Sequence, residues 1–117
     1  MGITYVQAFV RGSGAKEASV SFLVDSGVTY SLLPQKVWQA IDLEPRRRME
    51  FSLADGTTME RDVSECYFIL PQGETHSPVI LGEPDDEALL GTVTLENLGL
   101  VLNPFKRTLQ PMRMLLV

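Results

Sequence analysis

The sequence predicts a mainly β single domain, residues 1–117, with one or two short helices. Strand-length runs rich in β-branched and aromatic residues recur along the chain, bounded by Gly, Pro, Asn and Asp turn chemistry. Only two stretches place apolar residues at helical spacing. At 117 residues, 44% hydrophobic and 21% charged, the chain has the size and balance of one globular unit. By size scaling it buries roughly two-thirds of its unfolded surface, enough for a core without staples.

Ile3 to Val10 reads as a first strand. Gly12-Ser13-Gly14 closes a hairpin onto Ala18–Val24. Phe22-Leu23-Val24 is a continuous apolar run, which suggests a strand buried on both faces rather than alternating. Pro34 opens a helix at its first position, and Val37, Trp38 and Ile41 fall on one face of it. Trp38 reads as a core anchor there rather than a ligand contact, and Leu43-Glu44-Pro45 ends the helix. Met49 to Leu70 reads as a long hairpin about Asp55-Gly56, a two-residue turn signal, with Cys66 as a strand residue. Pro71-Gln72-Gly73 turns the chain, His76 falls in a polar loop, and Pro78 to Leu81 is a short apolar strand. Gly82 to Asp86 is an acidic turn. Its Asp85-Asp86 pair lacks further spaced acids and reads as solvated rather than as a metal or acid/base site. Thr92 is the expected N-cap and Gly99 the C-terminal stop of a second helix, with Leu95 and Leu98 facing the core. Leu100–Leu102 and Thr108–Leu109 flank a turn at Asn103 to Arg107. The tail from Met112 to Val117 is apolar and would leave a sticky edge exposed in a monomer.

Composition excludes several function classes. A formal net charge of −5 argues against a nucleic-acid partner, and the run Arg46-Arg47-Arg48 is short enough to be a solvated loop face. One cysteine excludes an internal disulfide and fits a reducing compartment. No apolar stretch approaches the length of a spanning helix, and no signal-type segment follows Met1-Gly2, so the expectation is a cytoplasmic protein without membrane contact. With one His and one Cys, no zinc ligand set or Cys-His dyad assembles within a protomer. No Gly-rich phosphate loop is present. No metal or cofactor is expected.

The chemistry concentrates in Phe22 to Pro34. The apolar strand stops at Asp25, with Ser26 and Gly27 behind it and hydroxyl-rich Val28-Thr29-Tyr30-Ser31 following. Gly27 can supply a positive φ for a tight turn. A carboxylate at the end of a core strand is costly unless partnered or partly wet, and such carboxylates are enriched at functional sites. Asp-Ser-Gly is also ordinary turn chemistry. Context favours function: a second segment, Ala88-Leu89-Leu90-Gly91, leads into TVTLENLGL near the C-terminus.

An apolar run with Asp-Ser-Gly, then two apolar residues, a Gly and a short helix some sixty residues later, resembles the retropepsin-like aspartic proteases, most closely their small prokaryotic members. The resemblance covers nearly the whole chain and implies a retropepsin-like acid protease half-barrel. It implies that Asp25 is the catalytic carboxylate and that Ser26 hydrogen-bonds across a dimer. By the same resemblance the Gly27 carbonyl faces substrate with Val28 beside it, and Gly91 packs its helix against the Asp25 loop. The hairpin tip Ala54, Asp55, Gly56 and Thr57 would be the flap over bound substrate. Two departures stand out. Retroviral flap tips are glycine-rich, whereas this one has only Gly56. Retroviral enzymes also pair an Asp after the motif with an Arg after the second Gly, where this chain has Thr29 and Thr92.

Peptide hydrolysis of this kind uses two carboxyls on one water, and the chain carries one motif; Ala54-Asp55-Gly56 is no second copy. The implied enzyme is therefore a homodimer acting on a peptide or protein substrate. The alternative is a peptide-binding or dimerisation module that keeps the fold without proteolysis.

Overall fold

Side-chain alternation decides which strand faces pack. In the computed structural model, which describes residues 3–116, β1 (Tyr5–Arg11) and β2 (Glu17–Val24) form the expected antiparallel hairpin across Gly12–Gly14. Ala8 and Val10 from β1 meet Val20, Phe22 and Val24 from β2 in the core, while Ser19 and Ser21 face outward. Leu23 is only half-buried. The apolar run thus alternates after all, because its outward face is covered only where it pairs with Tyr5 and Leu89.

After the Asp25 loop come β3 (Ser31–Leu33), α1 (Gln35–Ala40), β4 (Arg47–Ser52), β5 (Thr58–Leu70), β6 (Gly73–Leu81), β7 (Leu89–Leu90), α2 (Thr92–Asn97), β8 (Leu100–Asn103) and β9 (Thr108–Pro111). The first seven strands make one sheet in the order β1-β2-β7-β3-β6-β5-β4, and β1 also pairs with β5. That extra pairing closes the sheet on itself and leaves β4 as a strand projecting from the ring. β8 and β9 form a separate ribbon. Phe22 and Phe68 meet at the centre, ring centroids 5.7 Å apart, within the range where tilted aromatic pairs attract. Cys66 is a buried strand residue, as expected, and burial pushes its thiol up to about 12, with the charge of Glu65 adding to the effect. Such a thiol is inert.

Several local expectations need correction. His76 lies in β6 rather than in a loop. Its stretch is polar because this half of the ribbon is wet, and the long partner β5 supplies the ladder: His76 stands opposite Tyr67, ring centroids 4.7 Å apart. Asp55-Gly56 is not a two-residue turn. Gly56 alone has positive φ, at 88°, and Leu53 N–H bonds the Thr57 carbonyl at 2.7 Å. The tip is therefore a three-residue loop, with glycine in the left-handed position. Pro34 and Gly91, not Thr92, precede the helices, and neither helix has a side-chain cap. Gly99 does end α2 with φ 69°, and Leu95 and Leu98 pack inward. Trp38 packs against the core, and its indole N–H donates to the Gly82 carbonyl at 2.8 Å.

The acidic turn is not simply solvated either. Asp86 accepts from the Glu83 amide at 2.6 Å and from Arg61 Nη1 at 3.1 Å. Partial burial pushes the Asp86 carboxyl up, but these donors outweigh it and leave it below the ordinary value of 3.8. A lowered folded-state value stabilises the fold above the unfolded value, and the contribution is lost as pH falls through the folded one. Asp55, lowered by the Thr57 hydroxyl and amide, acts in the same direction. Urea unfolding across pH should therefore show stability falling below about pH 4. Asp86→Asn should flatten part of that slope; an unchanged slope would exclude the Arg61 clasp as its source.

Candidate active site

Asp25 sits where β2 ends, half-buried, with its own N–H bonded to the Leu90 carbonyl at 3.1 Å. The chain then turns, with Val28 N–H returning to the Asp25 carbonyl at 3.2 Å. Gly27 N–H donates to Asp25 Oδ1 at 2.9 Å, which fixes the carboxylate; among the described residues Oδ2 accepts no hydrogen bond. Gly27 does not use the positive φ expected of it. Its lack of a side chain serves close approach instead, since a Cβ there would stand 3.2 Å from Asp25 Oδ1. Ser26 is exposed beside the carboxylate.

The loop hangs from the start of α2. The first amides of a helix have no partner within it; here Thr92 N–H donates to the Val28 carbonyl at 2.9 Å and Val93 N–H to the Thr29 carbonyl at 3.0 Å. The approach is close enough that a Cβ on Gly91 would lie 2.7–2.9 Å from backbone atoms of Thr29 and Tyr30, so only glycine fits. Thr29 and Thr92 meet through one long hydrogen bond, Thr92 Oγ1 to the Thr29 carbonyl at 3.5 Å.

Beneath this junction lies a chain of buried hydroxyls that sequence reasoning missed. Gly91 N–H donates to Ser31 Oγ at 3.0 Å, Ser31 and Thr94 oxygens are 2.6 Å apart, and Thr94 and Ser77 are 2.8 Å apart. Ser77 donates to the Pro78 carbonyl at 3.2 Å. The assignment in which every hydroxyl donates once runs one way, from Gly91 through Ser31, Thr94 and Ser77 to Pro78. These residues come from β3, α2 and β6 and lie far apart in sequence. No local pattern could have joined them.

Between the Asp25 loop and β4–β5 lies a cleft of about 550 Å³. Gly27, Val28, Thr29 and Tyr30 form one side, Leu32 and Ile80 line it further, and Met49, Phe51, Leu53 and Met59 come from the hairpin. Of the expected substrate-side residues, Val28 lines this cleft. Ala54, Asp55, Gly56 and Thr57 form the exposed hairpin tip but do not line it; Asp55 is occupied with Thr57, at 2.6 Å to its hydroxyl. A second groove of about 280 Å³ includes Ser26, Leu95, Leu100, Leu102 and Met112. Beyond it the tail is exposed through Met114, Leu115 and Leu116, the last at 98%; Val117 lies outside the described residues. Among the described residues no cluster of His, Cys, Asp or Glu could hold a metal.

A family model described as aspartyl protease matches residues 6–112. Among solved structures, the chain is similar to the Simian Foamy Virus (mac) protease in solution, at 20% identity and TM-score 0.58, over 80% of this chain and 92% of that one. It is also similar to the EIAV protease complexed with the inhibitor HBY-793, at 13% identity and TM-score 0.62, over 84% and 89%. At those identities the likeness is one of fold. No curated protein sequence matches the chain.

Thr94→Val keeps the shape of the side chain but breaks the hydroxyl chain at its middle, leaving Ser31 without an acceptor and Ser77 without a donor. The cost should be about 1–3 kcal/mol, read from the urea midpoint. A variant as stable as the parent would show that the chain contributes nothing net.

Proposed function

The chain belongs to the aspartyl protease family, and on that premise we propose that it is an aspartic endopeptidase acting as a homodimer. The observation that carries this reading is Asp25: a half-buried carboxylate at the end of a core strand, pinned through Oδ1 to Gly27 N–H beside an apolar cleft. One such carboxylate per chain calls for a second from a twofold mate. Two carboxyls brought face to face share one proton, because like charges a few ångströms apart cannot both ionise comfortably; aspartic proteases are the standard example of that arrangement. The ionised member takes a proton from water as its oxygen attacks the scissile carbonyl, and the protonated member donates to the carbonyl oxygen. Collapse of the tetrahedral species then expels the amine with a proton returned from the pair. The reaction needs neither metal nor cofactor.

In this reading Ser26 bonds across the twofold, and Gly27 and Val28 face substrate. An extended peptide pairs by its main chain between the dyad and the β4–β5 hairpin, whose tip at Ala54–Thr57 closes as a lid. Gly91 holds α2 against the loop. The exposed apolar tail and the groove beside Ser26 supply the dimer contact, since Met114, Leu115 and Leu116 would otherwise be left to water. No described helix is long and apolar enough to cross a membrane, and a cytoplasmic setting belongs to this reading.

Cleavage of a denatured protein at mildly acidic pH tests the chemistry. Asp25→Asn should abolish it, and equal turnover by variant and parent would remove the assignment. Removing Leu115 to Val117 tests the assembly. The truncated chain should sediment as a monomer and lose activity together with its mate; full activity in a monomer would contradict the shared dyad, and an inactive parent dimer would favour a dimerisation module.

A further inference from the structure

Tyr30 stands between the Asp25 loop and the overhanging β4. Its ring meets Phe51 edge-on, centroids 5.9 Å apart at 68°, a geometry in which aromatic quadrupoles attract. Its hydroxyl accepts from Arg47 Nη2 at 3.2 Å. Arg47, Met49 and Phe51 alternate along β4 and share one face, so the two anchors of Tyr30 flank Met49. Tyr30, Met49 and Phe51 all line the cleft, with Leu32, Met59 and Ile80. The ring of Tyr30 therefore occupies the place that an aromatic guest would take against Phe51. What remains is walled mainly by aliphatic and thioether side chains, of which the thioethers adapt to guests of varied shape. Thr29, Ser52 and Glu50 also line it, and the Glu50 carboxylate repels an acidic guest. Arg61 also borders the cleft, but its guanidinium is engaged by Asp86 at 3.1 Å, so it offers no spare charge to an acidic guest.

Resting on the protease reading, we infer that Tyr30 is a specificity-determining residue: by pre-empting the Phe51 ring it makes the cleft select an uncharged aliphatic side chain of the peptide over an aromatic or acidic one. Removing the Tyr30 ring leaves Phe51 without its partner and opens space of the same shape, so an aromatic side chain from the peptide takes its place. Retaining the ring without the hydroxyl leaves the selection as it was.

The test separates binding from catalysis by using the Asp25→Asn chain and fluorescence anisotropy. The probes are extended peptides carrying Leu, Phe or Glu at one position of an otherwise Gly-Ser sequence. With Tyr30 present, the Leu peptide should bind most tightly. Tyr30→Ala should move the Phe-to-Leu affinity ratio toward Phe on the order of tenfold, the scale on which apolar pockets discriminate. Tyr30→Leu, which keeps an apolar side chain but no ring, should move it in the same direction if the alanine variant does not fold. Tyr30→Phe should keep the parent ranking. An unchanged ratio in the ringless variants, or a preference for Phe or Glu with Tyr30 intact, overturns the assignment of Tyr30 while leaving the protease reading in place. Binding of none of the peptides with Tyr30 present overturns the protease reading itself.

Discussion

The junction between α2 and the Asp25 loop is the constraint on which the rest of the site depends. A strand must end and turn at Asp25 without help from a left-handed glycine, so the loop carbonyls need partners from elsewhere. The first amides of α2 supply them, with Val28 and Thr29 as acceptors, and unpaired amides and unpaired carbonyls satisfy one another in a single contact. The contact requires the two backbones to approach within the space of one side chain, which is why Gly91 has no Cβ. The same geometry brings Gly27 and Val28, which follow the carboxylate in the loop, to the wall of the cleft.

The hydroxyl chain below it extends that constraint into the core. Ser31, Thr94 and Ser77 are fully buried, and buried hydroxyls are costly unless paired. Pairing them in one direction ties three elements of the sheet and helix to the loop. This also accounts for the tolerance of Thr29 and Thr92 where retroviral enzymes use an ion pair. The backbone amides and the hydroxyl chain hold the loop, and the threonine pair adds only one long hydrogen bond at 3.5 Å. A neutral network of this kind is less sensitive to salt than an exposed ion pair.

The cleft has a different character from the loop beside it. The loop is fixed by many hydrogen bonds, whereas the cleft is lined mainly by thioether, aliphatic and aromatic groups, several of them on the β4–β5 hairpin. In the proposed protease, a loop held rigid beside an adaptable wall would place one bond accurately while the wall adjusts to the side chain it receives. Tyr30 joins the two regions, since it belongs to the loop yet bonds to β4 through Arg47 and Phe51.

Much of this was legible in the chain itself. Alternating runs and turn residues located the hairpins, because each side chain's face follows from local pleat alone. Asp25-Ser26-Gly27 and Leu89-Leu90-Gly91 marked a turn and the close approach beside it, because such places admit few residue types. Local patterns misled where a distant partner supplied what the segment lacked: β5 drew the polar stretch around His76 into a strand, and Arg61 captured Asp86 from the acidic turn. The one-way chain from Gly91 to Pro78, the seating of α2 on Val28 and Thr29, and the place of Tyr30 against Phe51 were decided only by tertiary structure. Each joins residues brought together by strand crossovers, and a hydrogen bond or a ring contact between such residues leaves no periodic trace in the sequence.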